Sequence, residues 1–319
     1  MHIVVTGANG FVGQALVASL REARSLAGQP ITRLTALDTA FAGAAPAEFE
    51  RQLAGSIANP ASVATAFEPP VDVVFHLASI PGGTAEHNYE LARDVNLGGT
   101  TLLLEAARAQ ALRGGRAPVF VFASTIGIFA SPLPAQVDDD TPAGPGMSYG
   151  AQKLVGEILV SDFSRRGWVD GRSVRLPGVL ARPPARTGQM SAFMSDMIRE
   201  LGAGRPITLP VRPEASTWAS SLPSIVDNLL HAASVPAERL GTRRSFTLPT
   251  LHFSFAQLVA AIGAVRGEDV SALATWQPEA RIEALFGSFP PIVTPAADAA
   301  GFRNDGSLEN LVRRATQFG

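Results

Sequence analysis

The stretch Met1-His2-Ile3-Val4-Val5-Thr6-Gly7-Ala8-Asn9-Gly10-Phe11-Val12-Gly13 decides the fold of this 319-residue chain. Residues 2–6 are an apolar run typical of a buried strand, and they lead directly into glycines that recur every third residue. Residues 11–24 then repeat apolar side chains at helical spacing. A strand, a glycine turn and a helix in this order are typical of a site in which backbone N–H groups bind a phosphate anion. The segment therefore predicts a dinucleotide-binding domain.

Each glycine of this turn has its own expected role. Gly7 permits the tight turn, Gly10 lets the backbone approach a pyrophosphate, and Gly13 allows the helix to pack closely against the strand. Asp38 closes the second predicted strand, where a carboxylate can accept hydrogen bonds from the adenosine ribose and repels a 2′-phosphate. Residues 39–42 contain no arginine or lysine that could bind such a phosphate. The sequence therefore predicts NAD rather than NADP as the cofactor.

Strands and helices alternate through the first half of the chain. Strands are predicted at 2–6, 33–38, 71–77, 118–123 and 171–176, and helices at 11–24, 87–112 and 147–167. This alternation predicts an α/β fold with a Rossmann-type, doubly wound parallel sheet. After residue 176 prolines interrupt the rhythm, and the predicted elements are helices at 189–203, 223–234 and 254–266 and a strand at 245–248. We predict an NAD-binding domain at 1–176 and a smaller, irregular C-terminal substrate lobe at 177–319, partly interleaved with the sheet.

Composition and charge exclude several classes of function. Hydrophobic residues make up 46% of the chain and charged residues 17%, which is typical of a globular protein. The net charge of −2 argues against a nucleic-acid partner. The absence of cysteine excludes disulfides and a cysteine nucleophile, and the histidines show no metal-ligand spacing, so no metal is expected. The chain has no apolar run of the roughly 20 residues that span a bilayer and no secretory signal at its N-terminus, so we expect a cytoplasmic protein without a membrane partner.

Tyr149-Gly150-Ala151-Gln152-Lys153 places a phenol and an amine four residues apart in a predicted helix. Positions i and i+4 lie on one face of a helix, so both side chains can reach one pocket. A phenol with a reference pKa of about 10 is a poor base at neutral pH, but a neighbouring ammonium favours the phenolate. The pair follows the strand that ends at Ser124 and Thr125, and the carboxyl ends of parallel strands line the ligand crevice. We therefore predict that Tyr149 and Lys153 are a proton-transfer pair.

These motifs together resemble the extended short-chain dehydrogenases/reductases, the group that contains the NAD-dependent epimerase/dehydratase family. The resemblance covers essentially the whole chain. It implies an NAD-dependent oxidoreductase acting on a CH–OH group, in which Thr125 holds the substrate oxygen, Tyr149 is the acid/base and Lys153 assists. Both Ser124 and Thr125 remain open as the catalytic hydroxyl, and Thr125 is favoured because it stands four residues before Phe129, at an aromatic position of the family.

The same resemblance implies cofactor contacts along the whole crevice. These residues are Gly7, Asn9, Gly10, Phe11, Val12, Gly13, Asp38, Ser56, Ile57, Leu77, Ala78, Ser79, Asn96, Ser124, Tyr149, Lys153, Pro177 and Val179. Ser56 departs from an acidic residue that is common in the family near the adenine. The resemblance also implies a homodimer, in which the helices near 87–112 and 147–167 pair across a two-fold axis.

Departures from the nucleotide-sugar enzymes of this family indicate a smaller substrate. The Arg-Asp pair of a later family motif is absent from residues 216–223, and a diphosphate without an arginine partner loses charge-assisted hydrogen bonds. Arg175-Leu176-Pro177, Trp218-Ala219-Ser220-Ser221 and residues 228–233 instead resemble a subgroup, the D-erythronate dehydrogenases. That resemblance implies NAD-dependent oxidation of the C2 hydroxyl of a small sugar acid to the 2-keto acid.

The substrate contacts expected on this basis are Ser79, Thr125, Tyr149, Arg182 and Trp218, with core packing equally open for Trp218. A small acid needs an anchor for its carboxylate; Arg182 is the favoured candidate, followed by Arg186 and Arg212. Two other functions remain open. An NDP-sugar epimerase or dehydratase would bind a uridine or thymidine diphosphate, whereas a non-catalytic NAD-binding sensor would keep the fold, although such proteins often lose the Tyr–Lys pair.

Overall fold

The computed structural model describes residues 1–41, 45–180 and 191–316. The strands within these ranges are β1 (His2–Thr6), β2 (Ser25–Leu26), β3 (Gln29–Pro30), β4 (Arg33–Asp38), β5 (Glu50–Ala54), β6 (Val73–His76), β7 (Val119–Thr125), β8 (Asp170–Leu176), β9 (Gly178–Leu180), β10 (Ile207–Leu209), β11 (Ser216–Ser221), β12 (Ser245–Thr247), β13 (Leu251–Ser254) and β14 (Ala274–Trp276). The helices are α1 (Phe11–Ala23), α2 (Pro60–Ala66), α3 (Gly82–His87), α4 (Tyr89–Ala92), α5 (Thr100–Leu112), α6 (Ser148–Arg165), α7 (Ala192–Gly202), α8 (Leu222–Ser234), α9 (Ala237–Leu240), α10 (Phe255–Arg266), α11 (Ala280–Phe286), α12 (Pro295–Ala300) and α13 (Leu308–Thr316). A π-helical segment, Arg93–Gly99, joins α4 to α5, and a 3₁₀ turn, Ile126–Ile128, follows β7. Among the described helices, none is long and apolar enough to cross a membrane.

In the described part of the chain, seven strands form one parallel sheet in the order β12-β8-β7-β6-β1-β4-β5. Ile3 of β1 pairs with Val73 of β6 on one side and with Leu34 of β4 on the other. The chain therefore winds outward in both directions from β1, and ligands of such sheets bind beyond the carboxyl ends of the strands at this point. The predicted Rossmann-type α/β fold is confirmed.

The strand β5 and the helix α2 that follows it were missed by the sequence analysis. β5 has the sequence Glu-Arg-Gln-Leu-Ala and is the edge strand of the sheet, where it pairs with β4 alone. Only its first residue is buried. An edge strand that faces solvent needs no continuous apolar run, so the signal that marks the central strands is absent from it.

Helices cover both faces of the sheet. Ile3 and Val5 of β1 belong to a core formed with α1 and α8, whereas Val4 belongs to a core formed with α2, α5 and α6. This alternation explains why every residue of β1 is buried. The second half of the chain thus supplies both a covering helix, α8, and an edge strand, β12, to the sheet. The domain boundary at residue 176 stays a prediction.

The rest of the second half surrounds a separate core. A three-stranded sheet in the order β13-β11-β9 packs with α7, α10 and α13 around Phe253, Phe255 and Leu258. A smaller cluster of Ile128, Phe129, Val137 and Trp218 joins this lobe to the loop that follows β7. The carboxyl end of β7 therefore lies where the parallel sheet meets the second lobe.

Candidate active site

The glycine turn after β1 is packed so tightly that two of its positions exclude a side chain. Gly7 has a φ of +70°, and a Cβ there would lie 2.6 Å from the backbone nitrogen of Ala78. A Cβ on Gly13 would lie 2.0 Å from the carbonyl oxygen of Gly7, so α1 rests directly on the turn. Gly10 is the N-cap of α1, which has no side-chain cap and no acidic residue in its first turn. The positive end of the α1 dipole is therefore available for an anion.

Asp38 lies at the carboxyl end of β4 and is held against the glycine turn. Its Oδ2 accepts the backbone N–H of Asn9 at 2.9 Å, and its Oδ1 accepts that of Thr39 at 2.7 Å. The residue is half-buried, so part of it remains accessible to a ligand. The carboxylate is thus positioned to accept hydrogen bonds from an adenosine ribose and to repel a phosphate on it.

Replacement of Asp38 by asparagine is expected to weaken NAD binding about tenfold, because neutral hydrogen bonds replace charge-assisted ones. Binding of NADP should be unchanged or improved, because the repulsion of the 2′-phosphate is lost. Calorimetric titration with each cofactor checks this prediction. An equal loss of affinity for both cofactors would show that Asp38 supports the glycine turn without selecting the cofactor.

Asn96 connects the loop after β6 to α6. Its Oδ1 accepts the N–H of Ile80 at 2.7 Å, and its Nδ2 donates to the carbonyl of Ile80 at 3.0 Å and to Gln152 Oε1 at 2.7 Å. Asn96 and Gln152 are both buried, and Asn96 lies in the π-helical segment, a form often found at functional sites. The loop that carries Ser79 is thereby fixed to α6. The sequence analysis missed Gln152, although its place between Tyr149 and Lys153 was a signal.

His76, at the end of β6, is fully buried between two hydroxyl groups. Its Nδ1 lies 2.8 Å from Thr6 Oγ1, and its Nε2 lies 2.9 Å from Thr100 Oγ1. Burial lowers the pKa of His76 well below its usual value, and the positive charge of Lys153 acts in the same direction. His76 is therefore a neutral structural residue.

The first turn of α6 lies against the turn that follows β7. A Cβ on Gly150 would be 2.2 Å from the carbonyl oxygen of Gly127, so this contact requires glycine. Tyr149 is half-buried in the same turn of α6, and Lys153 Nζ lies 5.8 Å from the centre of its ring. The close contact brings Tyr149 and Lys153 to the carboxyl end of β7, where Thr125 is located.

Lys153 is buried beside the aromatic core. Its Nζ donates to the carbonyl oxygen of Ala123 at 2.8 Å and lies 4.8 Å from the centre of the Phe122 ring. Burial lowers the pKa of Lys153 to about 7, although the negative charge of Glu157 opposes this effect. The positive charge that Lys153 offers to Tyr149 at neutral pH therefore depends on the groups packed around it.

The two adjacent hydroxyl groups at the end of β7 have different surroundings. Ser124 is 2% exposed, and it donates to Glu157 Oε1 at 2.5 Å. Thr125 is half-buried, and its Oγ1 accepts the N–H of Gly127 at 3.0 Å, so its own hydrogen can be donated to a further acceptor. Of the two residues, Thr125 has the surface that a substrate can reach, which favours it as the catalytic hydroxyl.

The remaining predicted cofactor contacts lie in the first turn of α1 and beyond the carboxyl ends of three strands. They are Phe11 and Val12 in α1, Ser56 and Ile57 after β5, Leu77, Ala78 and Ser79 after β6, Pro177 after β8, and Val179 in the β9 strand that follows. Ser56 Oγ accepts the N–H of Ala58 at 3.1 Å, and Ile57 is buried against Gly99. Ser56 and Ile57 thus shape the loop after β5, and the contact of each of these residues with a cofactor stays a prediction.

Two residues considered for contact with substrate have partners within the protein, and their contact with substrate stays a prediction. Trp218 is 1% exposed, and its indole N–H donates to the carbonyl of Pro290 at 2.6 Å, which favours core packing over contact with substrate. Arg212 Nε lies 3.1 Å from Glu283 Oε1 in an exposed ion pair. Arg182 and Arg186 lie outside the described residues, so the carboxylate anchor stays a prediction.

The motif at residues 228–233 binds the C-terminal segment of the chain. Asn228 Nδ2 donates to the carbonyl of Arg303 at 2.7 Å, and Asn228 Oδ1 accepts the Arg303 N–H at 3.1 Å. His231 Nε2 lies 3.0 Å from the carbonyl oxygen of Ala300. Asn228 and His231 of this motif therefore bind the segment around residues 300–303 to α8.

Comparison with known proteins agrees with this arrangement. A profile of the NAD dependent epimerase/dehydratase family matches residues 3–214. The chain belongs to this family. The predicted NAD-dependent oxidoreductase of the short-chain dehydrogenase type is thereby confirmed.

Relatives of this epimerase/dehydratase family member include two D-erythronate dehydrogenases. The enzyme from Cupriavidus necator is 37% identical over 98% of this chain and 97% of its own length. The enzyme from Haemophilus influenzae is 28% identical over 100% of this chain and 99% of its own length. Among solved structures, a nucleoside-diphosphate-sugar epimerase from Agrobacterium tumefaciens superimposes with a TM-score of 0.90 and 34% identity, covering 98% of this chain and 92% of that one.

Proposed function

We propose that this chain is a dehydrogenase that oxidises the C2 hydroxyl of a small sugar acid, D-erythronate or a close analogue, with NAD as the acceptor. The observation that carries the proposal is the placement of Tyr149 and Lys153 against the turn after Thr125, at the carboxyl end of β7. The 37% identity to a D-erythronate dehydrogenase over nearly the whole chain supports the choice of substrate.

The residues of the crevice fit a dinucleotide. The glycine turn has no room for a Cβ at Gly7 or Gly13, and the uncapped N-terminus of α1 would bind the pyrophosphate. Asp38 would accept hydrogen bonds from the adenosine ribose, and its charge favours NAD over NADP. When bound, NAD supplies the acceptor for the hydride that leaves the C2 carbon.

Side chains of the protein would orient the substrate hydroxyl and accept its proton. Thr125 donates a hydrogen bond to the substrate oxygen and orients it towards Tyr149. The Tyr149 phenolate accepts the hydroxyl proton, and the Lys153 ammonium stabilises the phenolate before that transfer. The product is the 2-keto acid.

The substrate carboxylate needs a cation, and the described cations beside β7 have other partners. Lys153 donates to Ala123, and Arg175 forms an ion pair with Glu157 at 2.8 Å. Arg182 follows β9 closely in the chain, so we propose it as the anchor that binds the carboxylate.

The test is NADH formation at 340 nm with purified protein, NAD and a panel of four- to six-carbon aldonic acids that includes D-erythronate and both threonates. We expect one acid to be turned over, and Thr125→Val to lower kcat by about two orders of magnitude. Substitution of NADP for NAD should reduce kcat/KM, because Asp38 repels the 2′-phosphate.

The second candidate function is NDP-sugar epimerisation or dehydration, which the 34% identity to a nucleoside-diphosphate-sugar epimerase favours. If no aldonic acid of the panel supports NADH formation and a uridine or thymidine diphosphate sugar raises the melting temperature, this function would replace the dehydrogenase proposal. Silence with both substrate classes, while NAD still binds, would indicate a sensor.

We also propose that two copies pair through α5 and α6. Leu112 of α5 is 63% exposed, and Val155 and Ile158 on the outer face of α6 are 42% and 60% exposed. Apolar side chains grouped on an exposed helix face mark an interaction surface. Sedimentation at micromolar concentration should give the mass of two chains, and a monomer would count against this pairing.

A further inference from the structure

A buried ion pair lies directly behind Lys153. Glu157 stands one turn further along α6 and is 3% exposed. Arg175 of β8 donates to both of its oxygens, with Nη2 2.8 Å from Oε2 and Nε 3.0 Å from Oε1. Ser124 donates a further hydrogen bond, to Oε1 at 2.5 Å. These donors hold the carboxylate in one position and compensate for its burial.

The carboxylate and the ammonium bind adjacent residues of one strand. Lys153 Nζ donates to the carbonyl of Ala123, and Glu157 accepts from Ser124, the next residue of β7. Lys153 and Glu157 also stand four residues apart on the buried side of α6, where side chains are neighbours. The negative charge of Glu157 is therefore held close to the ammonium of Lys153.

Other titratable and charged groups lie on the elements around Lys153. They are Tyr149 on α6, His76 on β6, Arg175 on β8, Glu86 and His87 on α3, Arg93 and Asp94 on the π-helical segment, Glu105 and Arg108 on α5, the Asp162–Arg165 pair on α6 and the Asp170–Arg172 pair on β8. His76 is neutral, and Arg175 is paired with Glu157. Arg93 pairs with Asp94 and Arg108 with Glu105 at the partly exposed outer surface, and Glu86 is exposed and accepts the N–H of Ser148. Among the described groups, Glu157 is the buried anion beside Lys153.

We propose that Glu157 is a positioning residue that keeps Lys153 in its cationic form and thereby sets the pH range in which Tyr149 accepts a proton. The part that concerns Tyr149 rests on the proposed function, whereas the part that concerns Lys153 does not. Burial lowers the pKa of Lys153 to about 7 even with Glu157 in place. A further decrease of this pKa would therefore leave Lys153 largely uncharged at neutral pH. Loss of the Glu157 charge would lower that pKa further and deprive the Tyr149 phenolate of its positive neighbour.

The test depends on Lys153 being the single lysine of the chain. Full-length protein labelled with ¹³C at the lysine ε-carbon gives one side-chain signal, and its chemical shift against pH reports the ionisation of Lys153 without any substrate. We expect Glu157→Gln to lower the midpoint by about one pH unit or more, with and without NAD. Arg175→Gln should raise the midpoint, because the charge of Glu157 is then no longer neutralised by the guanidinium.

Glu50→Gln is the matched control. Glu50 is also a buried carboxylate paired with an arginine, with Arg21 Nε at 2.9 Å, but it lies in β5 at the far edge of the sheet. The Glu50→Gln substitution should leave the midpoint of the Lys153 titration unchanged. In the assay with the sugar acid, the acidic limb of the pH profile of kcat/KM should move to higher pH in Glu157→Gln, because the Tyr149 phenolate loses its positive neighbour. It should not move in Glu50→Gln.

An unchanged midpoint in Glu157→Gln, or an equal shift in Glu50→Gln, would overturn the proposal. If Glu157→Gln does not fold, Arg175→Gln decides, and a midpoint that stays or falls in that variant is contrary to the proposal. The titration of Lys153 needs no turnover. Absence of NADH formation with every aldonic acid of the panel would therefore count against the proposed function alone.

Discussion

Replacement of Tyr149 by phenylalanine is expected to lower kcat for the sugar acid by about three orders of magnitude, because the ring is kept while the proton acceptor is lost. Tyr149 is half-buried in the first turn of α6, which is held against the turn after Thr125 by the contact of Gly150 with Gly127. The packing of the ring should therefore survive the substitution. The measurement is steady-state NADH formation, together with a separate titration of NAD affinity, which should change little.

The matched control is Tyr89→Phe, since Tyr89 is the other tyrosine of the chain and is 51% exposed on α4. This variant should keep the wild-type kcat. Retention of more than about a tenth of the activity in Tyr149→Phe would mean that another group takes the proton. Loss of NAD binding in the same variant would assign the effect to the cofactor site instead.

Replacement of Gly13 by alanine is expected to abolish NAD binding and to destabilise the protein by about 3 kcal/mol. The added Cβ would lie 2.0 Å from the carbonyl oxygen of Gly7, so α1 must move away from the turn. Both the backbone approach to the pyrophosphate and the packing of α1 on the sheet depend on this contact. Urea denaturation gives the free energy of unfolding, and calorimetric titration gives the affinity for NAD.

Gly10→Ala separates the two effects. A Cβ there would lie 3.2 Å from the carbonyl oxygen of Gly7, a contact that a small shift relieves, so the free energy of unfolding should change little while NAD affinity falls at least about tenfold. Gly202→Ala is the control, because a Cβ at that position would meet no atom from another described part of the chain within 4 Å. Wild-type stability and NAD affinity in Gly13→Ala would contradict the packing of α1 described above.

Local patterns predicted the parts of the molecule that local sequence controls. The buried strands of the sheet are short apolar runs, and the run before Gly7 leads into a turn whose glycines the structure requires for steric reasons. Tyr149 and Lys153 share a helix, so their spacing alone places them on one face. β5 was missed because an edge strand next to solvent carries charged residues.

Interactions between distant segments were beyond the sequence analysis. Arg175 was noted as part of a motif, but its pairing with Glu157 depends on the parallel alignment of β7 and β8 beside α6. For Trp218 the sequence left substrate contact and core packing open, and its burial with Phe129 became visible only because β11 packs against the loop after β7. Ser124 and Thr125 could not be separated by sequence, since only the tertiary structure decides which hydroxyl meets Glu157.

The contribution of α8 and β12 to the parallel sheet has a consequence for how the chain unfolds. A fragment that ended at residue 176 would expose the face of the sheet that α8 covers and the edge of β8 that β12 pairs with. Such a fragment would be prone to aggregate through its open edge and its uncovered apolar face. The two halves are therefore expected to melt together in one cooperative transition, and neither can be exchanged for a foreign module at a simple cut in the chain.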